Sequence, residues 1–374
     1  MLDKIIFTCF IFLQTVICSF AQQKSLPIGF PSECPTYKPK LTKVIHLTPK
    51  QMNADSLVKQ AQEIMRLRNK ENILKAIEIL DNAVAIDSTN AQAYYQLSVV
   101  YGLAPRYTTM LRKAGDEKSL VYFLKAFSLN PKSVDVLSRL ANLKIEYQND
   151  YACAKDILKR VLKSDPKNAW IRFEYAILLA SENNFSEAYK HRIVALENAD
   201  SLTRLRILNN SARMRFMAHD YNWVIKDCDS LIKSYYPKTN WLAHFYKGLA
   251  LAEQGKYDEA LAEQKLATPS LKGDAGGVAN LARSYILAGD IKNGKLALQE
   301  NLDRYERGEN VVKYQIAGVY EALGDFDNAF IWLYRDVEGG DDIHGWLLWL
   351  NHDPRWNRIR SDARFKELTI KAGL

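Results

Sequence analysis

The sequence predicts an all-α solenoid of about eight helix hairpins, and two repeating features carry this prediction. Glycine recurs at Gly255, Gly289 and Gly324, with spacings of 34 and 35 residues. Small residues also stand twelve positions apart around each of these glycines, so that every period contains two helix-length stretches joined by a turn. These small pairs are Gly248 with Ala260, Ala282 with Gly294, and Ala317 with Ala329.

The physical role of the repeated residues is to let two short helices pack closely. A single hairpin of this size cannot bury its apolar face, so stacking against its neighbours has to complete the core. Small side chains at the crossing keep the helix axes within about 8–10 Å of each other. Glycine gives the backbone the freedom to end the first helix and turn. We therefore interpret these residues as core and turn positions without chemistry.

The stretch YKGLALAEQGKYDEALAEQKLA, at residues 246–267, resembles a tetratricopeptide repeat, and the next two periods resemble further copies. This resemblance implies a right-handed superhelix in which the first helix of each unit lines the concave face. It implies a surface for partners, and it brings no enzymatic activity with it. The predicted array covers residues 55–338, in units of about 55–89, 90–132, 133–167, 168–200, 201–239, 240–273, 274–308 and 309–338.

Two segments precede the predicted array. Residues 1–21 contain an apolar run, with Ser19 and Ala21 where a signal peptidase requires small residues. We predict a cleaved signal peptide, with an uncleaved anchor as the alternative. The protein is then exported, and is periplasmic, outer-membrane associated or secreted. Residues 22–54 carry five prolines, and five lysines against one acid, and are predicted to form an extended linker or arm.

Two parts of the chain depart from the regular repeat. The second unit contains an insertion at residues 102–118. Residues 339–374 are predicted to form Trp-rich capping helices that cover the last helix pair and keep a polar outer face. The predicted apolar residues of this cap are Trp346, Leu347, Trp349, Leu350, Trp356, Ile359, Phe365 and Leu368, and the predicted outer residues are Asp353, Arg355, Arg358, Arg360, Asp362 and Lys366.

Charge and cysteine content narrow the class of partner. The net charge is +8, and residues 22–50 and 201–240 each contribute a surplus of four basic residues. We predict an acidic protein or peptide as the partner, no nucleic acid, and membrane-surface association through the 22–50 arm as a further option. Removal of the signal peptide leaves an odd number of cysteines, for which we expect buried thiols rather than a disulfide framework. They are Cys34, Cys153 and Cys228.

Motifs for catalysis, cofactors or metals are weak in this sequence. Residues 289–295 imitate a phosphate-binding loop, but Leu296 stands where serine or threonine is required, and a helical pattern precedes the loop instead of a strand. His344 and His352 lie near several aspartates, so a metal site in the cap is conceivable, but a solvated polar loop is the preferred interpretation. The sequence therefore predicts a protein that is not an enzyme and uses no cofactor or metal.

The concave face is the predicted binding surface. Arg206 and Arg213 are seven residues apart with Asn209 between them, so all three project from one side of a helix. Two guanidinium groups and an amide could hold a carboxylate or another anion, although an ordinary solvated arginine face is the competing interpretation. The other predicted partner-binding residues are Tyr95, Asn142, Trp170, Phe173, Phe245, Arg283 and Tyr314.

These observations predict a non-catalytic scaffold for protein–protein interaction in the cell envelope, which binds an extended partner segment in its concave groove. The alternative is a protein that binds a small molecule or glycan in the channel of the superhelix. Salt dependence separates the two, because peptide clamping by arginine weakens steeply with salt whereas sugar stacking on Trp170 and Phe173 does not.

Overall fold

The computed structural model describes residues 29–36, 38–39, 48–66, 69–234, 241–268, 275–339 and 345–374. This part of the chain contains 17 α-helices and two short 3₁₀ helices, and no β-strand. The predicted all-α fold class is therefore confirmed. Within the same residues, no helix has both the length and the apolar character that a membrane span requires. The predicted signal peptide lies outside the described residues.

Sixteen of the described helices pair in chain order into eight hairpins, which we call units one to eight. Each helix packs against the next one along the chain, and the first helices of several adjacent units also touch. The surface formed by the first helices is called the A-helix wall below. The helices are α1 Pro49–Met65, α2 Lys70–Ile86, α3 Ala91–Tyr107, α4 Arg112–Leu129, α5 Val134–Gln148, α6 Tyr151–Ser164, α7 Ala169–Ser181, α8 Phe185–Asn198, α9 Ser201–Met217, α10 Tyr221–Ser234, α11 Trp241–Glu253, α12 Tyr257–Ala267, α13 Ala275–Leu287, α14 Ile291–Glu306, α15 Lys313–Leu323, α16 Phe326–Gly339 and, outside the hairpins, α17 Ala363–Lys371.

The repeated small residues lie at the predicted turns and helix crossings. Gly324 ends α15 in the left-handed conformation, with φ at +77°, which glycine adopts without strain. A Cβ atom added to Gly248 in α11 would lie 2.6 Å from Nε2 of Gln264 and 3.1 Å from the carbonyl oxygen of Ala260 in α12. A larger side chain at this crossing would therefore push the two helices of unit six apart.

The first hairpin begins within the segment predicted to be a linker. Thr48 caps α1, because its side chain accepts a hydrogen bond from the backbone N–H of Gln51, whose side chain accepts in turn from the backbone N–H of Thr48. Pro49 occupies the first turn, where its missing N–H costs nothing. This capping box starts the helix at Pro49, six residues before the predicted start at residue 55.

The insertion in unit two lengthens both helices of the hairpin. Gly115 in α4 lets the two helices approach closely, since a Cβ atom there would lie 2.5 Å from Cγ of Pro105 in α3. The far end of the hairpin reaches the connection between units seven and eight. There Oδ1 of Asn310 accepts a hydrogen bond from the backbone N–H of Arg112 at 2.8 Å. The extension thus links the early and late parts of the array.

The N-terminal arm is tied to units two and three by a disulfide and an aromatic contact. Cys34 is bonded to Cys153 at the start of α6, and the ring of buried Phe30 lies 5.9 Å from that of Phe123 in α4. The expectation of unpaired Cys34 and Cys153 was therefore wrong, and the described part of the predicted linker or arm packs on the solenoid. The partner of Cys153 lies 119 residues away in a segment without repeats, whose path no spacing in the sequence defines. Cys228 is buried and free, as predicted.

The C-terminal segment, which we define as residues 345–362, runs along the A-helix wall of units four to eight rather than only covering the last hairpin. The ring of Trp346 stacks on that of Tyr314 in α15, with centroids 5.6 Å apart. Further along, Nε2 of His352 lies 2.9 Å from the carbonyl oxygen of Ser181, the last residue of α7. The chain then returns to unit eight, and α17 packs on α16.

The polar side of this segment differs from the prediction. All eight apolar residues assigned to the cap are buried, but Asp353 and Arg355, which were assigned to its outer face, are buried as well. They form an ion pair with 2.6 Å between Nη2 of Arg355 and Oδ2 of Asp353, and neither side chain has any exposed surface. Each charge is compensated by the other, which is the condition for placing both inside a protein.

Candidate partner-binding site

The predicted binding residues divide between two parts of the A-helix wall. In units six to eight, Phe245, Arg283 and Tyr314 are only 5, 6 and 0 % exposed. Phe245 and Tyr314 pack against Trp346 of the C-terminal segment, and Nη2 of Arg283 lies 3.3 Å from Oε1 of Glu253. These three side chains support the protein's own core and present almost no surface to a partner.

A polar network fixes the C-terminal segment to unit eight. Arg355 donates two hydrogen bonds to the carboxylate of Asp353 and one to Oε1 of Gln315. The hydroxyl of Tyr314 donates to Oδ2 of Asp353 at 3.0 Å and accepts from Nε1 of Trp356 at 2.6 Å. Although burial opposes ionisation, Arg355 holds the pKa of Asp353 below its usual value. The late half of the A-helix wall is thus matched in shape and charge to the chain's own segment.

Arg206 and Arg213, the predicted anion clamp, stand over different aromatic rings. Nε of Arg213 donates to the hydroxyl of Tyr246 at 2.6 Å, and its guanidinium lies 4.4 Å from the ring centroid of Trp346. The guanidinium of Arg206 lies 4.0 Å from the ring centroid of Trp170. Cation–π attraction stabilises each arrangement. The two guanidinium groups thus pack on different rings, and the binding of one anion by both stays a prediction.

The partly exposed part of the A-helix wall, on units two to five, centres on Glu174 of α7. Tyr95, Asn142, Trp170 and Arg206 are each partly exposed around it. Oε1 of Glu174 accepts from Nε1 of Trp170 at 2.7 Å and from Nδ2 of Asn142 in α5 at 3.2 Å. The other oxygen, Oε2, is buried and makes no hydrogen bond to any described residue. We define these five residues, together with Asn209, which follows Arg206 by one helical turn on α9, as the Glu174 site.

Burial raises the pKa of Glu174 from its usual 4.5 to about 7. The hydrogen bonds from Asn142 and Trp170 and the charges of Arg206 and Arg139 act in the opposite direction without cancelling this effect. Desolvation therefore dominates, and the carboxyl group changes charge near neutral pH. A titratable group that is shifted in this way on a partly exposed surface marks a candidate functional site.

Two further titratable groups share these surroundings. Burial raises the pKa of Asp135 in α5, whose Oδ2 accepts a hydrogen bond from Nε2 of Gln92 in α3 at 2.9 Å. Burial, together with the charges of Asp135 and Glu174, raises the pKa of Tyr95. The phenol of Tyr95 is therefore neutral at physiological pH and can both donate and accept a hydrogen bond.

Asn209 and Phe173, two further predicted binding residues, differ in how far they are buried. Asn209 in α9 is partly exposed as a residue, yet its Oδ1 is buried and has no hydrogen-bond partner among the described residues. Phe173 is 0 % exposed and lies in the core beside Trp170, with ring centroids 5.8 Å apart. The Glu174 site thus offers two acceptor oxygens without donors, whereas Phe173 offers no face to a ligand.

Sequence reasoning missed Glu174, the residue at the centre of the site. A regular spacing of groove positions selected Phe173, which instead faces the core. The useful signal was the interval of four residues between Trp170 and Glu174, which places both side chains on one face of α7. An acidic residue on the same helix face as a tryptophan is the sequence pattern that would have indicated this site.

Two other motifs have simple structural roles. Asp290, in the loop that imitates a phosphate-binding motif, caps α14 by accepting from the backbone N–H of Asn293, and the element before it is the helix α13. Within the described residues, no group of three His, Cys, Asp or Glu side chains could hold a metal ion. Of the histidines considered for the cap, His352 bonds to a backbone carbonyl, and His344 lies outside the described residues.

Comparisons with known proteins found two repeat profiles and several solved structures to which the chain is similar. Two family profiles described as tetratricopeptide repeat match residues 147–191 and 229–275, and no curated protein matches the chain. The structure of Pseudomonas aeruginosa pilF is 18% identical with a TM-score of 0.41, over 59% of this chain and 93% of that one. A human IFIT1 dimer with m7Gppp-AAAA is 14% identical with a TM-score of 0.48, over 87% and 91%. Yeast Tom70 is 16% identical with a TM-score of 0.45, over 88% and 70%.

The stacked helix hairpins and the two profile matches define the class of this protein. The chain contains tetratricopeptide repeats, and its described helix hairpins form an α-solenoid. Proteins of this class are generally scaffolds for protein interaction. The similarity to the solved structures is too low to transfer any of their partners to this chain.

Proposed function

We propose that this protein is a non-catalytic interaction scaffold that binds an extended segment of a partner protein along the A-helix wall of units two to five. The observation that carries the proposal is the contrast between the two halves of the wall. The C-terminal segment covers the wall of units six to eight and reaches Ser181 of α7 and Arg213 of α9, whereas the Glu174 site keeps partly exposed aromatic rings and acceptor oxygens without donors.

The chemistry of the Glu174 site suits a peptide. Backbone N–H groups and polar side chains of an extended segment can satisfy acceptors such as Oε2 of Glu174, and the rings of Tyr95 and Trp170 can pack against its side chains. Glycan stacking gains less support, because Phe173 is fully buried and Arg206 already lies against one face of Trp170. A peptide groove is therefore the function that the site supports best.

Proton transfer is a second role that the same carboxyl group fits, since a pKa of about 7 is suited to general acid–base catalysis. The two roles differ in their products. A scaffold retains its partner unchanged, whereas an enzyme releases altered material. Recovery of an intact, stoichiometric partner would favour the scaffold, and mass spectrometry of the recovered partner would show any covalent change.

We also propose that the protein acts outside the cytoplasm, in the periplasm or at the outer membrane. The Cys34–Cys153 disulfide supports this location, because such bonds persist in oxidising compartments and are rare in the cytosol. Membrane-surface association through the 22–50 arm gains no support from the described part of the arm, where Phe30 and Cys34 face the solenoid. Peptide mapping of protein isolated from cell envelopes, without reduction, should recover Cys34 linked to Cys153.

A cross-linked pull-down from cell-envelope extract tests the proposed function. The wild-type protein should recover a partner that the double variant Trp170→Ala/Glu174→Ala recovers at least about tenfold less, which corresponds to about 1.4 kcal/mol of binding free energy. The matched control is Tyr257→Ala/Glu259→Ala, which removes an aromatic and an acidic side chain from the exposed face of α12. Equal recovery by all three proteins would contradict the proposal.

A further inference from the structure

The starting point is a pair of acceptor atoms that the fold leaves without donors. Oε2 of Glu174 and Oδ1 of Asn209 are both buried and lack hydrogen-bond partners among the described residues. They belong to α7 and α9, the first helices of adjacent units, which pack against each other. A buried acceptor without a donor costs free energy, and a ligand that donates hydrogen bonds would remove this cost.

Carboxyl and guanidinium groups are equal in number around Tyr95, which borders Glu174. Asp135 on α5 and Glu174 on α7 stand with Arg139 on α5 and Arg206 on α9. Both guanidinium groups have contacts within the protein already. Nη1 of Arg139 lies 3.5 Å from Oε1 of Glu146, and the guanidinium of Arg206 lies over the ring of Trp170.

We propose that the Glu174 site binds a cationic side chain of the partner segment, a lysine or an arginine, through the Glu174 carboxylate and the Asn209 carbonyl oxygen. This inference rests on the proposed function and narrows the chemistry of the partner. An ammonium or guanidinium group supplies donors to both oxygens and positive charge to the carboxylate. Trp170 and Asn142 orient that carboxylate through Oε1 and leave Oε2 for the ligand.

This chemistry differs from the acidic partner that the sequence predicts. The sequence-based expectation depended on Arg206 and Arg213 acting on one anion. In the structure, the Arg213 guanidinium instead contacts the Tyr246 hydroxyl and the Trp346 ring. The overall charge of +8 describes the whole surface, whereas recognition depends on the groups nearest to the ligand, which here are carboxyl and carbonyl oxygens.

The titration of the site is consistent with a cationic ligand. Burial raises the pKa of both Asp135 and Glu174, and Arg139 and Arg206 do not offset this effect at Glu174. A cation that binds only ionised Glu174 would bind roughly tenfold more tightly at pH 8 than at pH 6, because the ionised fraction rises from about one tenth to about nine tenths. The aromatic hydroxyl of Tyr95 stays neutral throughout this range.

The indole N–H of Trp170 gives a direct reporter for this test, since it donates to Oε1 of Glu174. We would follow its ¹H–¹⁵N resonance in the full protein, assigned by its loss in Trp170→Phe, during titration with four probes of similar size. n-Butylammonium and n-butylguanidinium imitate lysine and arginine, n-butanol is a neutral analogue, and butyrate is an anionic one. Glu174→Gln removes the charge. Glu187→Gln on α8, whose partner is exposed Lys190, is the matched control.

We expect saturable shifts of the Trp170 indole resonance with at least one of the two cations, and a roughly tenfold higher affinity for that cation at pH 8 than at pH 6. This affinity should fall at least tenfold in Glu174→Gln and stay unchanged in Glu187→Gln. Equal or larger shifts with butyrate or n-butanol, no saturable shift with either cation, or unchanged cation binding in Glu174→Gln would overturn it. Thermal unfolding of both variants verifies that they are folded.

Failure of this inference is distinguishable from failure of the proposed function. A partner recovered in the pull-down through Trp170 and Glu174, without any response to the two cations, leaves the scaffold standing and rejects the cationic ligand. Saturable cation binding without any protein partner rejects the scaffold and keeps the cation site.

Discussion

Replacing Glu174 by glutamine should stabilise the protein at neutral and alkaline pH, although the residue lies at the proposed binding site. The carboxyl group has its usual pKa of 4.5 in the unfolded chain and a pKa of about 7 in the folded protein, because burial disfavours its charge. The folded state therefore prefers the protonated form. Ionisation reduces stability as the pH rises from 4.5 to 7, and the loss is complete above the folded pKa.

The expected size of this effect follows from the pKa difference. Linkage gives a destabilisation by ionised Glu174 of about 3 kcal/mol at pH 8 and less than about 0.3 kcal/mol at pH 4. Glutamine does not ionise, and its carbonyl oxygen can still accept from Nε1 of Trp170 and Nδ2 of Asn142. We therefore expect Glu174→Gln to gain up to about 3 kcal/mol relative to wild type at pH 8, and almost nothing at pH 4.

Urea denaturation at pH 4, 6 and 8, followed by circular dichroism, measures this difference. The control is Glu187→Gln, where the carboxylate is exposed and pairs with exposed Lys190, so that a change within about 0.5 kcal/mol is expected at every pH. A Glu174→Gln variant that is less stable than wild type at pH 8, or whose difference from wild type is the same at all three pH values, would refute the reasoning.

Three further predictions concern the parts that hold the array together. Replacing Cys34 and Cys153 by serine should cost about 2–5 kcal/mol in urea denaturation, because the disulfide no longer constrains the unfolded chain; stability equal to wild type would contradict a structural role. Arg355→Met alone should cost about 3–5 kcal/mol by leaving Asp353 buried and unpaired, while Arg355→Met/Asp353→Leu should recover much of that loss; a double variant no more stable than the single one would contradict this. Burial lowers the pKa of His352, so the folded state prefers the neutral imidazole and loses stability as pH falls below the ordinary histidine pKa of about 6.5. Hydrogen exchange in the C-terminal segment should then rise more between pH 7.5 and pH 5.5, after correction for the intrinsic rate, in wild type than in His352→Gln, and equal changes would contradict it.

The sequence was sufficient to predict the fold class because the fold is built from a local repeat. Gly248, Ala260 and Gly324 act through contacts within one hairpin, and their spacing records those contacts directly. The start of α1 was missed by six residues even though its signal is local. The Thr-Pro-Lys-Gln capping box lies in a proline- and lysine-rich stretch, and the composition of that stretch favoured a linker over a helix start.

Features that depend on distant parts of the chain could not be read from the sequence. The disulfide joins residues 119 positions apart, and the C-terminal segment lies against helices from unit four to unit eight. Partner-binding positions inferred from the repeat therefore included Phe245 and Tyr314, which the protein itself covers. The shifted pKa of Glu174 was equally hidden, because it depends on burial between neighbouring units.

The most direct test of the central claim places a photo-cross-linking amino acid, p-benzoylphenylalanine, in the wall. One variant carries it in place of Tyr95, on the partly exposed wall of unit two, and the other in place of Tyr257, on the exposed face of α12. Irradiation in cell-envelope extract should join the partner segment to position 95 and not to position 257. Cross-linking of the same partner from position 257, with none from position 95, would contradict binding along the A-helix wall of units two to five.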